Sequence, residues 1–252
     1  MVETAGHLSA SDGKNTIAWR QQSGQEPTIL FLHGFRSDMN GTKAEYLSNL
    51  CRETDRGFLR LDYRGHGQSS GHYTDFTIGD WVDDVLRVVD QLTTGPLIVV
   101  GSSLGGWLGL RLLALRPDRV RGYVAVAPAP DFPTQLVLPS LTPAQRAHYE
   151  QAHEVVNENS GFAEPTRFTR RFIEESAAHN CLHNPPAFTG RVRLFQGLKD
   201  DAVPWQQTTT LLERWDVADA QLTLFKDGDH RLNETAQLKE LGRAVAELSG
   251  SI

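Results

Sequence analysis

The sequence predicts an α/β fold: a mostly parallel central sheet with helices on both faces and a small helical cap inserted late in the chain. Short apolar runs alternate with longer segments of helical periodicity over most of the 252 residues, as in parallel α/β sheets. The alternation fails over residues 128–190, where five prolines stand within the first sixteen residues. This break predicts that residues 128–190 form a cap above the sheet.

Length and charge narrow the class of protein. A chain of 252 residues suits one large domain, here residues 1–252 with the cap inside it. The formal net charge is −6 and no tract of lysine and arginine stands out, so we expect no nucleic-acid partner. Cys51 and Cys181 lie far apart, without metal-ligand spacing to other residues. We therefore expect no disulfide, no metal and no cofactor.

The chain shows no pattern of a secreted or membrane-spanning protein. Its first residues lack a basic region followed by an apolar one, and no apolar run reaches eighteen residues. We expect a cytoplasmic protein without a membrane span.

The first half of the chain alternates strand and helix. A capping-box pattern, Thr77 followed by Asp80, opens a helix, and Pro117 ends another. The run 97–101 is apolar throughout, which is typical of a central strand buried on both faces. The predicted strands are 16–20, 28–32, 58–62 and 97–101, and the predicted helices are 43–51, 81–92 and 104–116.

The second half contains the predicted cap between two further groups of elements. A strand at 119–127 precedes the cap, helical pieces at 143–157 and 167–180 lie within it, and strands at 191–196 and 221–225 and a final helix follow. An insertion at this point lies above the carboxyl ends of the strands, where ligands bind in open α/β sheets. Four apolar cap residues either line an acyl pocket or form the core of the cap. They are Phe132, Leu136, Val137 and Leu138.

A serine between two glycines follows the apolar strand at 97–101. Ser103 has Gly101 two residues before it and Gly105 two residues after it, whereas the adjacent Ser102 lacks these flanks. The pattern G-x-S-x-G between strand and helix is typical of a nucleophile elbow, in which side chains on the flanking residues would collide with neighbouring elements. Chance supplies the bare pattern in roughly one chain of this length in ten. The strand and helix around it favour Ser103 as a nucleophile.

A second turn follows the strand at 28–32, at His33, Gly34 and Phe35. In serine hydrolases of this architecture, one oxyanion-binding N–H comes from this loop and one from the residue after the nucleophile. The corresponding amides here belong to Phe35 and Leu104. The alternative for this turn is an ordinary glycine turn.

An acid and a histidine follow later strands. Asp200 and Asp201 come after the strand at 191–196, and His230 comes after the strand at 221–225. The order serine, acid, histidine favours Asp200 and His230 as partners of Ser103. Spacing hardly separates the two acids, although Asp201 is the better placed to cap a helix that starts near Pro204.

The remaining histidines carry no such pattern. His66, in a glycine-rich loop, is expected to be a structural hydrogen-bond partner. The histidines of the cap, His148, His153, His179 and His183, lack metal-ligand spacing and are expected at the surface or in packing.

Five motifs spread over nearly the whole chain resemble the α/β-hydrolase superfamily. They are FLHG at 31–34, DYRGHG at 62–67, GSSLGGW at 101–107, KDDAVPW at 199–205 and DHR at 229–231. The third and fourth motifs, with CLHNP in the cap, are similar to a thioesterase branch that deacylates proteins and acyl glucuronides. The resemblance implies Ser103 as nucleophile, His230 as base and Asp200, rather than Asp201, as acid.

These residues predict a serine hydrolase that cleaves thioesters or carboxylic esters through an acyl-enzyme intermediate. Its expected substrate is a small ester or thioester, or an acylated protein. A carbon–carbon bond hydrolase or lactonase with the same triad is the first alternative, and a non-catalytic ligand-binding protein is the second. Dehalogenases and epoxide hydrolases carry aspartate where this chain has Ser103, which disfavours both.

Overall fold

The fold is built on one eight-stranded sheet. The computed structural model describes residues 3–158 and 163–250. The described strands are β1 Glu3–Ser9, β2 Thr16–Gln22, β3 Gln25–Leu32, β4 Arg56–Leu61, β5 Leu97–Ser102, β6 Val120–Val126, β7 Glu154–Asn157, β8 Thr166–Thr169, β9 Arg191–Gly197 and β10 Ala220–Phe225. Strands β7 and β8 pair with each other in a separate two-stranded sheet. The order in the eight-stranded sheet is β1-β2-β4-β3-β5-β6-β9-β10. The pairs β1–β2 and β2–β4 are antiparallel and the other five are parallel. The sheet is therefore mostly parallel, as predicted.

Helices cover both faces of this sheet. They are α1 Thr42–Glu53, α2 Ile78–Leu92, α3 Leu104–Leu115, α4 Leu138–Ser140, α5 Pro143–Ala152, α6 Arg170–Ser176, α7 Trp205–Arg214 and α8 Thr235–Ser249. Helices α1 and α8 bury Leu47 and Leu241 against one face. Helices α2, α3 and α7 pack on the other. Within the described ranges, no helix is both long and apolar enough to cross a bilayer.

Strand β5 shows how the two cores arise. Leu97 and Val99 belong to the core on the α2 and α3 side, whereas Ile98 and Val100 belong to the core on the α1 and α8 side. All four residues are 0% exposed. Successive side chains of a strand point to opposite faces, so a strand covered on both sides is apolar at every position. This confirms the interpretation of the run 97–101.

The predicted capping box at the start of α2 is present. Thr77 Oγ1 accepts the N–H of Asp80 at 3.4 Å, and Asp80 Oδ2 accepts the N–H of Thr77 at 2.9 Å. Two amides without a partner inside the helix are thereby satisfied. The box fixes the start of α2.

The cap contains strands where the sequence predicted only helix. The predicted helix 143–157 ends at Ala152, and β7 follows. The β-branched Val155 and Val156 favour this strand. The predicted helix 167–180 was also wrong at its start, because β8 pairs with β7 and α6 begins only after Thr169, whose hydroxyl accepts the Phe172 N–H at 3.1 Å. Residues 159–162 of the predicted cap, and residues 1, 2, 251 and 252 of the predicted domain, lie outside the described residues.

Strand β1 was not predicted. Its residues Glu3–Ser9 are half-buried or exposed, with no apolar alternation. As an edge strand it pairs only with β2. Backbone hydrogen bonds hold such a strand without a strong side-chain pattern, which leaves little for a sequence pattern to detect.

A buried carboxylate joins the two ends of the cap. Asp131, at the cap entry, is 2% exposed and has a φ of 59°. Its Oδ1 and Oδ2 accept the N–H groups of Cys181 and Leu182 at 2.8 and 2.9 Å. Because each oxygen serves one amide, both oxygens are needed.

We expect the substitution Asp131→Asn to lower the melting temperature. Asparagine tolerates the positive φ, but its NH₂ group faces one of the two buried amides, and a buried unsatisfied donor costs about 1–3 kcal/mol. For a domain of this size the loss corresponds to roughly 2–12 °C, measurable by differential scanning calorimetry. The exposed Asp201→Asn serves as the control. Equal melting temperatures for the two variants would contradict this role of Asp131.

Candidate active site

Ser103 lies at the sharp turn between β5 and α3. Its φ of 54° and ψ of −115° are rare for a residue with a side chain and cost about 1–3 kcal/mol. A Cβ on Gly101 would overlap the Gly105 carbonyl oxygen, and a Cβ on Gly105 would overlap the carbonyl oxygen of Leu32. Both flanking glycines are therefore required by close backbone contacts.

His230 bridges the serine and an acid. Its Nε2 lies 3.1 Å from Ser103 Oγ, and its Nδ1 lies 2.8 Å from Asp200 Oδ2. The loop after β10 is held by Asp229, whose Oδ1 accepts the N–H groups of Arg231 and Leu232 at 3.0 and 2.9 Å. The structure thus brings the three predicted residues into hydrogen-bonding contact. This geometry lets His230 take a proton from the serine through Nε2.

The Asp200 side chain is completely buried and surrounded by hydrogen-bond donors. Its Oδ1 accepts the backbone N–H groups of Ala202 and Val203 at 2.9 and 2.8 Å. Burial by itself raises the pKa of Asp200, but the hydrogen bond and charge of His230, together with the two amides, outweigh burial and lower the pKa. Asp200 is therefore held as a carboxylate beside the histidine.

Asp201 does not cap the following helix. Its side chain is exposed, and α7 starts after Pro204 without a side-chain cap. Asp200 accepts the amides of this turn instead. The expectation for Asp201 was wrong because the N-cap position of α7 is occupied by Pro204, whose side chain carries no acceptor.

The loop after β3 lies against the elbow. A Cβ on Gly34 would lie 3.4 Å from the Cβ of Ser103, at van der Waals contact, so the two turns are direct neighbours. The ring of the next residue, Phe35, is fixed among other aromatic rings. Their centroids lie 5.3–6.2 Å away and belong to Tyr73, Trp81, Phe132, Phe168 and Phe172. On the other side of Ser103, the Leu104 N–H opens α3, and the first N–H groups of a helix have no partner within it.

A cavity of 370 Å³ opens beside Ser103 and His230, between the loop after β3, the start of α1 and the loop after β10. Its charged lining residues are Arg36, Asp38, Lys43 and Arg231, an excess of positive charge. Lys43 is nearly buried and donates hydrogen bonds to the Arg231 carbonyl oxygen and to Asn233 Oδ1. Burial lowers the pKa of Lys43 to about 8.

None of the four predicted pocket residues is among the described residues that line this cavity. Phe132 packs against Trp107, Phe168 and Phe172 at centroid distances of 5.8–6.0 Å. Val137 and Leu138 are half-buried against the core, and Leu136 is half-buried. Their contact with an acyl chain stays a prediction.

Two buried histidines near the site are not placed as bases. His66 is 4% exposed, and burial lowers its pKa to about 3. Its Nδ1 lies 3.3 Å from the Arg64 carbonyl oxygen and its ring lies 5.1 Å from that of Trp81. Burial also lowers the pKa of His33, whose Nδ1 lies 2.7 Å from the Gly34 carbonyl oxygen. Both rings are uncharged packing partners, which agrees with the structural role expected of His66.

One buried polar residue at the site was missed by the sequence interpretation. Gln196 is 0% exposed at the end of β9, and its Nε2 lies 2.7 Å from Asp200 Oδ2. An amide at the carboxyl end of a parallel strand, directly after the apolar Leu194 and Phe195, was the available signal, because such strand ends face ligands in open α/β sheets.

Comparison with known proteins places this geometry in a family. The model of the alpha/beta hydrolase family matches residues 29–248. The mitochondrial palmitoyl-protein thioesterase ABHD10 of Mus musculus is 34% identical over 240 residues, which cover 92% of this chain and 78% of that protein. The chain belongs to the alpha/beta hydrolase family. Its predicted family, its fold and its assignment as a hydrolase are thereby confirmed.

Two solved structures are similar to this chain over nearly their full length. The mouse alpha/beta hydrolase domain-containing protein 10 superposes with a TM-score of 0.89 at 34% identity, covering 97% of this chain and 98% of that one. A putative hydrolase from Agrobacterium vitis S4 has a TM-score of 0.94 at 33% identity, covering 99% and 100% of the two chains. The cap and sheet of this alpha/beta hydrolase therefore follow an arrangement that both proteins share.

Proposed function

We propose that this alpha/beta hydrolase cleaves carboxylic ester or thioester bonds through an acyl-enzyme formed on Ser103. The hydrogen-bonded series from Ser103 through His230 to Asp200 carries the proposal. Residues 128–190 act as the cap of a single domain, residues 1–252.

The reaction begins at the Ser103 hydroxyl. His230 Nε2 removes its proton as Oγ attacks the acyl carbonyl carbon, which is a contribution of about 10²–10⁴-fold. Asp200 holds the Nδ1–H tautomer and stabilises the imidazolium that forms, and the loss of such an acid in a serine protease costs about 10⁴-fold. His230 then gives its proton to the leaving thiol or alcohol. Water attacks the acyl-enzyme through the same histidine and releases the acid.

The developing oxyanion is stabilised by the backbone N–H groups of Phe35 and Leu104. Removal of one such donor costs about 10²–10³-fold in other serine hydrolases. The aromatic rings around Phe35 hold its loop in place, so this donor is positioned before substrate binds. The position of Leu104 at the first turn of α3 adds the positive end of the helix dipole.

We expect a fluorophosphonate probe to label the protein at one residue, and the substitution Ser103→Ala to abolish both labelling and hydrolysis of p-nitrophenyl acetate. Ser102→Ala is the matched control, because Ser102 is adjacent but has no hydrogen bond to His230 among the described residues. It should keep labelling within a few-fold of the unchanged protein. Intact mass spectrometry measures the labelling of both variants, and undiminished labelling of Ser103→Ala would falsify the assignment.

The identity of the acyl donor is a further part of the proposal. The related mouse protein is named a palmitoyl-protein thioesterase, which supports acyl thioesters and acylated proteins as substrates here. The excess of positive charge along the cavity supports leaving groups that carry a carboxylate. An acyl glucuronide presents such a group next to an ester bond.

An acyl glucuronide and the corresponding acyl glucoside differ in one carboxylate and test this charge preference. At pH 7 we expect kcat/KM to be about two- to five-fold higher for the glucuronide than for the glucoside, which corresponds to the free energy of a partly exposed ion pair. Lys43 loses its charge as the pH rises through about 8, so the preference should fall between pH 7 and pH 9. Lys43→Met should show a smaller preference at pH 7 than the unchanged protein, and its preference should not change between pH 7 and pH 9, because Arg36 and Arg231 keep their charge. Turnover of lactones or vinylogous diketones, with all esters and thioesters inert, would instead favour the carbon–carbon hydrolase or lactonase.

We also propose a cytoplasmic location. Cys51 and Cys181 are unpaired and buried, which is typical of a reducing compartment. The related mouse protein is named mitochondrial, so the two locations need to be separated. Fractionation of the cells that make the protein should find it with cytoplasmic markers. Its recovery with mitochondrial or other organelle markers would overturn this proposal.

A further inference from the structure

Gln196 is an uncharged polar residue in the centre of the core. It lies at the end of β9 and is 0% exposed. A buried amide without partners costs several kcal/mol, so its hydrogen bonds show why this position tolerates it.

The amide of Gln196 has one orientation that satisfies all its neighbours. Three acceptors face Nε2: Asp200 Oδ2 at 2.7 Å, the Val203 carbonyl oxygen at 3.1 Å and the Gly197 carbonyl oxygen at 3.5 Å. Oε1 faces the hydroxyl of Thr208 at 2.8 Å, and Thr208 is also 0% exposed. Because a carboxylate and a carbonyl oxygen require a donor, Nε2 must point towards Asp200.

Gln196 completes the set of donors around the Asp200 carboxylate. Oδ2 accepts from His230 Nδ1 and from Gln196 Nε2, while Oδ1 accepts from the amides of Ala202 and Val203. Two donors on each oxygen match the lone pairs of a carboxylate. The carboxylate therefore cannot rotate about its Cβ–Cγ bond without breaking hydrogen bonds on both oxygens.

We propose that Gln196 is a positioning residue that aims Asp200 Oδ2 at His230 and keeps Asp200 ionised. This inference rests on the proposed function of the triad. Gln196 does not line the cavity beside Ser103, so it acts through Asp200 and not on substrate. Burial would raise the pKa of Asp200, and Gln196 adds a donor that favours the charged form.

Gln196→Met keeps the length of the side chain and removes both polar atoms. We expect kcat for p-nitrophenyl acetate to fall roughly 10- to 100-fold, less than the ~10⁴-fold of a lost triad acid, with KM changed less than twofold because the cavity lining is unaltered. The acidic limb of the kcat/KM–pH profile should move towards higher pH, because the Asp200 carboxylate loses a hydrogen-bond donor and the Asp200–His230 pair then holds its proton more strongly.

Two further variants separate positioning from stability. Thr208→Val removes the hydroxyl that bonds Gln196 Oε1 but leaves the contact between Gln196 and Asp200. It should lower the melting temperature about as much as Gln196→Met does, while kcat stays within about threefold of the unchanged protein. Gln196→Glu keeps the shape of the side chain and replaces the Nε2 donor with an oxygen that faces Asp200 Oδ2. It should lose at least as much kcat as Gln196→Met. It also serves if Gln196→Met does not fold.

The outcomes distinguish this inference from the proposed function. A folded Gln196→Met with kcat within twofold of the unchanged protein and the same pH profile would overturn the positioning role, as would equal kcat losses in Gln196→Met and Thr208→Val. If Ser103→Ala keeps its activity, the proposed triad itself is wrong. An inactive Ser103→Ala beside a fully active Gln196→Met rejects the positioning role alone.

Discussion

The positive φ of Ser103 is the constraint on which the candidate site depends. Backbone hydrogen bonds tie this turn to its surroundings: the Ser103 N–H donates to the Val126 carbonyl oxygen at 2.9 Å, and the Ser103 carbonyl oxygen accepts from Gly106 and Ala129 at 2.9 and 3.2 Å. The turn lifts the hydroxyl above the end of β5 while α3 begins at once. Side chains at Gly101 or Gly105 would force these elements apart. Local strain is thus supported by the packing of strand, helix and cap entry.

Parallel strands then supply the partners of the serine. β5, β9 and β10 run in one direction with β6 between the first two, so the residues after them meet at one edge although His230 lies 127 residues from Ser103. The buried Asp200 would be costly as an isolated charge. Its four hydrogen-bond donors, one of which is His230, offset that cost and give the acid a fixed direction.

The cap and the cavity divide the space above the sheet. Aromatic rings from the cap, Phe132, Phe168 and Phe172, pack around Phe35. The cavity beside Ser103 opens on the other side, along the start of α1, where Lys43 and Asn233 meet. Packing of the cap thus fixes the loop after β3, and the cavity beside Ser103 stays open.

The sequence by itself determined the alternation of strands and helices outside β1 and the cap, the elbow at Ser103, and the acid and histidine after later strands, because these depend on local periodicity and on glycines that close contacts require. Spacing did not separate Asp200 from Asp201, whereas the resemblance to the α/β-hydrolase superfamily indicated Asp200. The fold turns that carboxylate inward to His230. Gln196, the β7–β8 pair and the cationic cavity were likewise decided by the tertiary structure. Each depends on contacts between residues that are distant in sequence. The order of strands in the sheet and the packing of the cap set these contacts, and no local sequence pattern indicates them.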